Sequence, residues 1–395
     1  AGGDVTFDTI VDKSTATSYT ERGGFLGGRS TRTSVSTEKN LGSNLSTGGN
    51  LKVKSGGDTT IAGSNADIGG NLDAQTGGSF NVVARQDKET VETQTSTSGV
   101  GVGGGLYGSQ KTTVNDFTGT NKGSTLNVGG NANVKSDKAI VLQGSDANIG
   151  GDANLEAKEG IAILDGLDEK RTSTRVETTT FLKVDSSSGA EAKAQASAVG
   201  LQSEASAEAS AKASANLKLA ETSVTTTNEG KNTSVASNLK VGGSLGMKSD
   251  GTVTVQGSNV ESGGDLAIDA KDVQVLTGRN EEWRESETNT TSVGIYNDAE
   301  AKAGASASAG VSGGGVASGQ AQAGADAGST TTAGVRHEHS QDSSYSLTNS
   351  SSTLKSGGNM SVTAKDTATF QGADVESGGD MNIQAKDIRN VAAQD

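Results

Sequence analysis

Hydrophobic positions along this chain fall in short alternating clusters, each closed by Gly, Asn, Asp or Ser. Leu51-Lys52-Val53 is followed by Thr60-Ile61-Ala62-Gly63 and then by Ala66-Asp67-Ile68. The order returns as Ala132-Asn133-Val134, Ile140-Val141-Leu142-Gln143-Gly144 and Ala147-Asn148-Ile149. It returns again as Leu245-Gly246-Met247, Val253-Thr254-Val255-Gln256-Gly257 and Val260-Glu261. The last round is Met360-Ser361-Val362, Ala368-Thr369-Phe370-Gln371-Gly372 and Ala373-Asp374-Val375. Period-two alternation predicts half-buried strands, and the small polar breaks predict turns.

A Gly-Gly-(Asn/Asp/Ser) tripeptide frames the clusters and recurs in pairs. Its second glycine is Gly49 and Gly70, Gly130 and Gly151, Gly243 and Gly264, and Gly358 and Gly379, 21 residues apart each time. Gly2-Gly3-Asp4-Val5-Thr6-Phe7 reads as the second member of a fifth pair. Three strands in 21 residues, each with one inward apolar stripe, make the footprint of one coil of a solenoid whose coils stack about 4.8 Å apart. The expectation is all-β: a right-handed parallel β-helix of paired 21-residue coils, with coil pairs at about 48–88, 129–168, 242–278 and 357–395. The Gly-Gly would supply positive φ or a close backbone approach at a corner. The column Asn50, Asn71, Asn131, Asp152, Asp265, Asn359 and Asp380 reads first as turn formers bonding local amides, with a side-chain ladder as the alternative.

Between the pairs lie β-hairpin excursions at about 8–45, 86–124, 165–237 and 277–353, which share one plan. Each opens on charge: Asp12-Lys13, Arg85-Gln86-Asp87-Lys88-Glu89, Asp168-Glu169-Lys170-Arg171, and the run from Arg279 to Glu285 around Trp283. Ser/Thr-rich limbs then flank an apolar centre: Phe25-Leu26, Val100-Gly101-Val102, Phe181-Leu182-Lys183-Val184 and Val293-Gly294-Ile295-Tyr296. Two β-prone limbs around a Gly-containing tip predict an antiparallel hairpin that leaves the coil and returns. Two excursions carry Ala-x-Ala arms, at 189–219 and 299–328. Ala, Glu, Lys and Gln favour helix. A strict period of two, however, puts Ala on one strand face and would scatter it around a helix, so strand is expected.

Composition changes the picture in three ways. Hydrophobic residues are 31% and aromatics 3%, too few for an ordinary compact core, so only regular repetition separates this chain from disorder. Pro is 0, where an average composition would supply roughly 20; its absence suits a chain that is nearly all paired strand. Cys is 0, which excludes disulfides, thiol nucleophiles and thiolate metal sites. The net charge of -14 speaks against nucleic acid or an anionic membrane surface as an electrostatic partner. No run of 18 apolar residues predicts a transmembrane helix. The start, Ala1-Gly2-Gly3-Asp4, has no leader character, and the sequence begins and stops inside its repeat, as expected of a segment of something longer.

Candidate chemistry is sparse, and no catalytic, cofactor-binding or metal-binding residue is assigned. His337 and His339 in Arg336-His337-Glu338-His339 share a strand face, a geometry open to a metal but lacking a further ligand. No carboxylate pair is spaced as an acid/base couple, and the nonapeptide of calcium-binding β-rolls is not matched. Trp283 reads as a packing residue at an excursion's base. A polysaccharide-acting enzyme would need a cleft of perturbed carboxylates, of which the sequence gives no sign.

The pattern Gly264-Asp265-Leu266-Ala267-Ile268, the turn Gln371-Gly372-Ala373-Asp374 and the excursion centre Val100-Gly101-Val102 resemble the hemagglutinin-repeat region of filamentous hemagglutinin-like exoproteins of two-partner secretion, over nearly the whole chain. The likeness is to the second such region of contact-dependent growth-inhibition effectors and related adhesins. It implies a secreted surface filament of a Gram-negative bacterium, exported through an outer-membrane two-partner-secretion transporter. It also implies contact with a target cell's outer membrane or surface receptor to help deliver a C-terminal toxin. A passive adhesin or stalk, with excursions padding the coil flank, is the alternative.

Overall fold

Each 21-residue coil contributes one strand to each of three parallel sheets, as the computed structural model of residues 1–199, 202–311 and 317–394 shows. In the first complete coil these strands are Asn44–Thr47, Leu51–Ser55 and Thr59–Ala62, and the next coil lays Asn65–Ile68, Leu72–Thr76 and Phe80–Val83 directly on them. Stacking continues to the last coil, giving parallel sheets of eight, eight and nine strands among the described residues. This is a parallel β-helix, as the alternation predicts.

The interior is a set of columns built by register. In the third sheet Ile61 pairs with Val82, Val82 with Leu142, Leu142 with Ile163, Ile163 with Val255 and Val255 with Val275. Leu72, Ala132, Ala153, Leu245, Leu266 and Met360 form a second column, all buried. Each Val, Leu, Ile or Met buried this way contributes about 1.5–3 kcal/mol. A narrow core therefore suffices, because every coil is covered from above and below.

Two polar columns lock the corners. At the Gly-Gly corner, each side-chain oxygen accepts the main-chain N–H of the equivalent residue one coil on. Asn71 donates to Asn50 (2.8 Å), Asn131 to Asn71 (2.8 Å), Asp152 to Asn131 (2.9 Å) and Asn359 to Asp265 (2.7 Å). The expectation of local amide bonding is thus corrected. The ladder runs between coils, from backbone to side chain, and Ser244 also belongs to it. The corner glycines keep a close approach, since a Cβ on Gly69 would sit 2.6 Å from the Gly48 carbonyl oxygen.

The second column is serine and runs the other way. Ser64, Ser124, Ser145, Ser237, Ser258 and Ser352 are all buried, and each accepts the N–H of its counterpart in the preceding coil at 2.9–3.2 Å. Each hydroxyl also donates to a nearby carbonyl, as Ser258 Oγ does to Gln256 (2.8 Å).

This serine corner is also where the chain leaves the helix. In the first coil of each pair the turn at this corner is Gly63, Gly144, Gly257 or Gly372, with φ of 52–55°, a left-handed conformation that glycine adopts without penalty; serine follows the first three and Ala373 follows Gly372. In the second coil the equivalent residues, Ala84, Asp165 and Thr277, instead start an excursion. The excursions are hairpins: Ile10–Gly24 with Gly27–Leu41, Arg85–Val100 with Tyr107–Lys122, Gly166–Val199 with Gln202–Val235, and Gly278–Val311 with Ala317–Ser350. Their outgoing and returning strands pair across hairpins too, so all eight strands form one antiparallel sheet.

That arrangement keeps the expected strands and moves the apolar centres. The Ala-x-Ala arms are strands, the outer halves of the two long hairpins, although residues 200–201 and 312–316 within them lie outside the described residues. The apolar centres of the third and fourth excursions are therefore mid-strand and not at tips. The outer strand of the first hairpin pads nothing, for all 15 residues of Ile10–Gly24 are exposed.

The serine column makes a stability prediction. Ser237→Ala leaves the buried Ser145 N–H without its acceptor, which costs about 1–3 kcal/mol. The urea midpoint of the variant is expected to fall, while that of Ser340→Ala, on an exposed hairpin position, is expected to stay put.

Candidate interaction surface

At the base of the hairpin sheet, side chains link neighbouring hairpins where the strand pairing between them stops, and Asn121 Nδ2 donates to the Gly144 carbonyl of the coil (2.8 Å). Asp87 Oδ1 accepts the Asn40 N–H (2.7 Å), Asp168 Oδ1 accepts that of Asn121 (2.6 Å), and Asn280 Oδ1 accepts that of Ser234 (2.8 Å). Arg85 forms a two-pronged ion pair with Asp8, its Nε 2.8 Å from Oδ1. The guanidinium bonds hold the Asp8 carboxyl below its ordinary pKa. The clusters that open the second, third and fourth excursions thus lie at the hairpin roots.

Trp283 also belongs to the base. It pairs across from Tyr345, and its ring lies over Gly230 so closely that any Cβ there would collide with it. His337 and His339 lie on exposed sheet further out. Their Nδ1 atoms meet Thr291 Oγ1 (3.0 Å) and Asn289 Oδ1 (2.9 Å), and Glu287 lies 3.7 Å from His339. No cluster of three or more potential ligands forms among the described residues.

Above the base, the register draws the four apolar centres into a single level. Val100 pairs with Tyr107, Tyr107 with Phe181, Phe181 with Ala220, Ala220 with Val293 and Val293 with Val335. One step outward, Val184, Leu217, Ile295 and Ala333 make a second row. Residues directly opposite in antiparallel strands share a face, so both rows belong to one side of the sheet. They are exposed there: Phe181 at 49%, Ile295 at 44% and Val335 at 70%. Phe25 and Leu26, at the first hairpin's turn, are exposed as well. The two rows cover on the order of 300 Å² of continuous apolar surface, comparable with the largest patch on a typical monomer, which is often functional.

The opposite face at the same level is polar and covered. Along Thr291–Asn297 burial alternates strictly, with Ser292, Gly294 and Tyr296 inside and Val293 and Ile295 outside. Tyr296 is 2% exposed, hydrogen-bonded to Ser292 (2.8 Å) and capped by the Arg336 guanidinium 4.2 Å from its ring centre. Beside it sit four charged groups: Lys183 is 2.7 Å from Glu221, Lys218 is 2.7 Å from Asp185, and Lys218 also pairs with Glu221. The sheet therefore shelters its charges and displays its hydrophobes.

A bulge permits this. Leu182 has φ of 52°, and the register between the third and fourth hairpins slips between Lys218 and Ala220. The extra residues, Leu182 and Leu219, are absorbed without disturbing the alternation on either side. Burial alone would raise the Glu221 and Asp185 carboxyls, and the two lysines more than offset it, holding both below their ordinary 4.5 and 3.8.

Both carboxyls thus contribute stability above their unfolded pKa values and lose it as pH falls through the lowered folded ones. Protection of the Leu182 and Leu219 amides in hydrogen exchange is expected to be equal at about pH 7 and pH 5 and to drop at about pH 3. Equal protection at all three would show that the ion cluster does not hold the bulge.

Nothing in composition flags this surface. Its legible trace is the recurrence of a short apolar segment in each excursion, while the shared level and shared face come from pairing between hairpins. No curated protein matches the chain. The model of a family described as Hemagglutinin repeat does, at residues 10–100, 102–226, 218–333 and 333–395. Proteins with such repeats are typically secreted, filamentous, adhesin-like surface proteins, and the all-β helix suits a structural, non-enzymatic role. With these matches spread over the whole length, the chain belongs to the hemagglutinin repeat family.

Proposed function

We propose that this chain is a structural and delivery segment of a secreted cell-surface filament of a Gram-negative bacterium. The β-helix supplies length and stiffness, and the hairpin sheet engages a target cell's outer membrane to help deliver a C-terminal toxin. Export runs through an outer-membrane two-partner-secretion transporter, a partner typical of the family. The observation that carries the reading is the displayed apolar face of the hairpin sheet, which no part of the chain covers among the described residues. A stalk that only spaces other modules apart has no use for such a face.

Binding of the chain to outer-membrane vesicles tests this. The chain is expected to co-sediment with the vesicles, and deletion of 189–219 together with 303–328, combined with Phe181→Asp and Ile295→Asp on the apolar level, is expected to abolish binding. Unchanged binding of that variant would place adhesion outside the displayed face.

A further inference from the structure

The outer halves of the two long hairpins form a four-stranded sheet in which charge is completely segregated. Among the described residues, every charged group from Lys218 and Asp185 at the bulge to Lys302 and Asp326 further out lies in the rows of the polar face. On the other face the rows beyond the apolar level read Ser186–Ala215–Asn297–Thr331, then Ser188–Ala213–Ala299–Ser329, then Ala190–Ala211–Ala301–Ala327. No acid, lysine or arginine occurs in them. In the backbone register the pairing of alanine with alanine continues outward, as in Ala194–Ala207–Ala305–Ala323.

We infer that this face is a lipid-docking surface, on which the arm sheet lies flat against a bilayer. The level of Phe181, Leu217, Ile295 and Val293 enters the boundary between headgroups and acyl chains, and the alanine rows rest on the headgroups. The inference rests on the membrane reading above and names its partner as lipid itself. Three features select that occupant. One-sided amphipathy, which in the arm sheet leaves all charge on the far side, is the condition for lying in an interface, as it is for interfacial helices. Aromatic and branched aliphatic side chains confined to a belt match the level at which such residues anchor strands at membranes. The third is shape, because large side chains stand on one belt while the remaining rows are small. A second copy packed face to face would meet that step with gaps, whereas interdigitated sheets need matched side chains throughout. A fluid layer conforms to the step.

The chain has 0 Cys, so single cysteines carrying an environment-sensitive fluorophore can report each face. Ile295→Cys and Asp298→Cys are neighbours on opposite faces, and the probe is a phosphatidylcholine liposome without protein. The label at 295 is expected to shift to the blue and to be quenched by lipids brominated on their acyl chains, and the label at 298 is expected to do neither. The double variant Leu217→Asp/Ile295→Asp is expected to lower liposome binding by at least about tenfold. Ser187→Asp/Ser214→Asp, a pair on the polar face, is expected to leave it within about twofold. Equal responses from the two labels would overturn the inference. Binding to outer-membrane vesicles but not to pure lipid would also overturn it while leaving the membrane reading intact, since the partner would then be a protein or glycan. A dimer in sedimentation that the 217/295 variant dissociates, without liposome binding, would assign the face to a second copy. Absence of binding to either vesicle would remove both.

Discussion

The structure depends on one length, the spacing of about 4.8 Å between hydrogen-bonded strands. Parallel coils stack at that interval, and antiparallel hairpin strands lie side by side at the same interval. A hairpin brings two strands, so hairpins can stand edge to edge only if they leave the helix every two coils. The pairing of coils is thereby explained: one coil closes with a left-handed glycine, as at Gly144, and the next opens into two strands, as at Asp165. The hairpin sheet has eight strands, as do two of the three coil sheets. An excursion after every coil would crowd the flank sheet, and one after every third would leave its ladders unpaired, exposing edges that invite aggregation.

How legible this is from sequence depends on the range of the interaction. The coil is local and repeated, so Leu51-Lys52-Val53 and its equivalents reveal strand, inward face and period together. The Asn/Asp column is visible as a column, but which amide each oxygen accepts is decided by the coil above, and the local reading was wrong for that reason. The buried serines carry no shared local mark, since Ser64, Ser124, Ser145 and Ser258 follow glycine whereas Ser237 follows Ala236. Only stacking makes Ser237 an acceptor for Ser145 across 92 positions of chain. The hairpin sheet was the least legible, because pairings such as Gly119 with Glu169 or Asn232 with Glu281 join separate excursions. Each hairpin is readable alone; their union is a property of the helix that spaces them.

The same logic governs the exposed apolar level. Phe181 and Leu182 in sequence suggested a hairpin tip, because the flanking limbs are polar. The register shows instead that the third and fourth hairpins run on past the level at which the first two end, so their apolar centres line up with the turn at Phe25 and Leu26. What looked like four separate tips is one line across a sheet. The bulge at Leu182 and Leu219 preserves the line's sidedness, since a single uncompensated residue would exchange the faces of everything beyond it.

An antiparallel sheet usually turns its polar face to water and buries the other. Here Glu221 and Lys218 are sheltered while Val293 and Ile295 face outward, an inversion that costs free energy in an isolated chain. The coil can bear that cost because its own stability comes from contacts between neighbouring coils, and the hairpins join it at their roots, as where Asn121 Nδ2 donates to the Gly144 carbonyl. Scaffold and contact surface are therefore energetically separable. The helix determines where the apolar line stands and how many strands it crosses, and the composition of that line is free to suit whatever it meets.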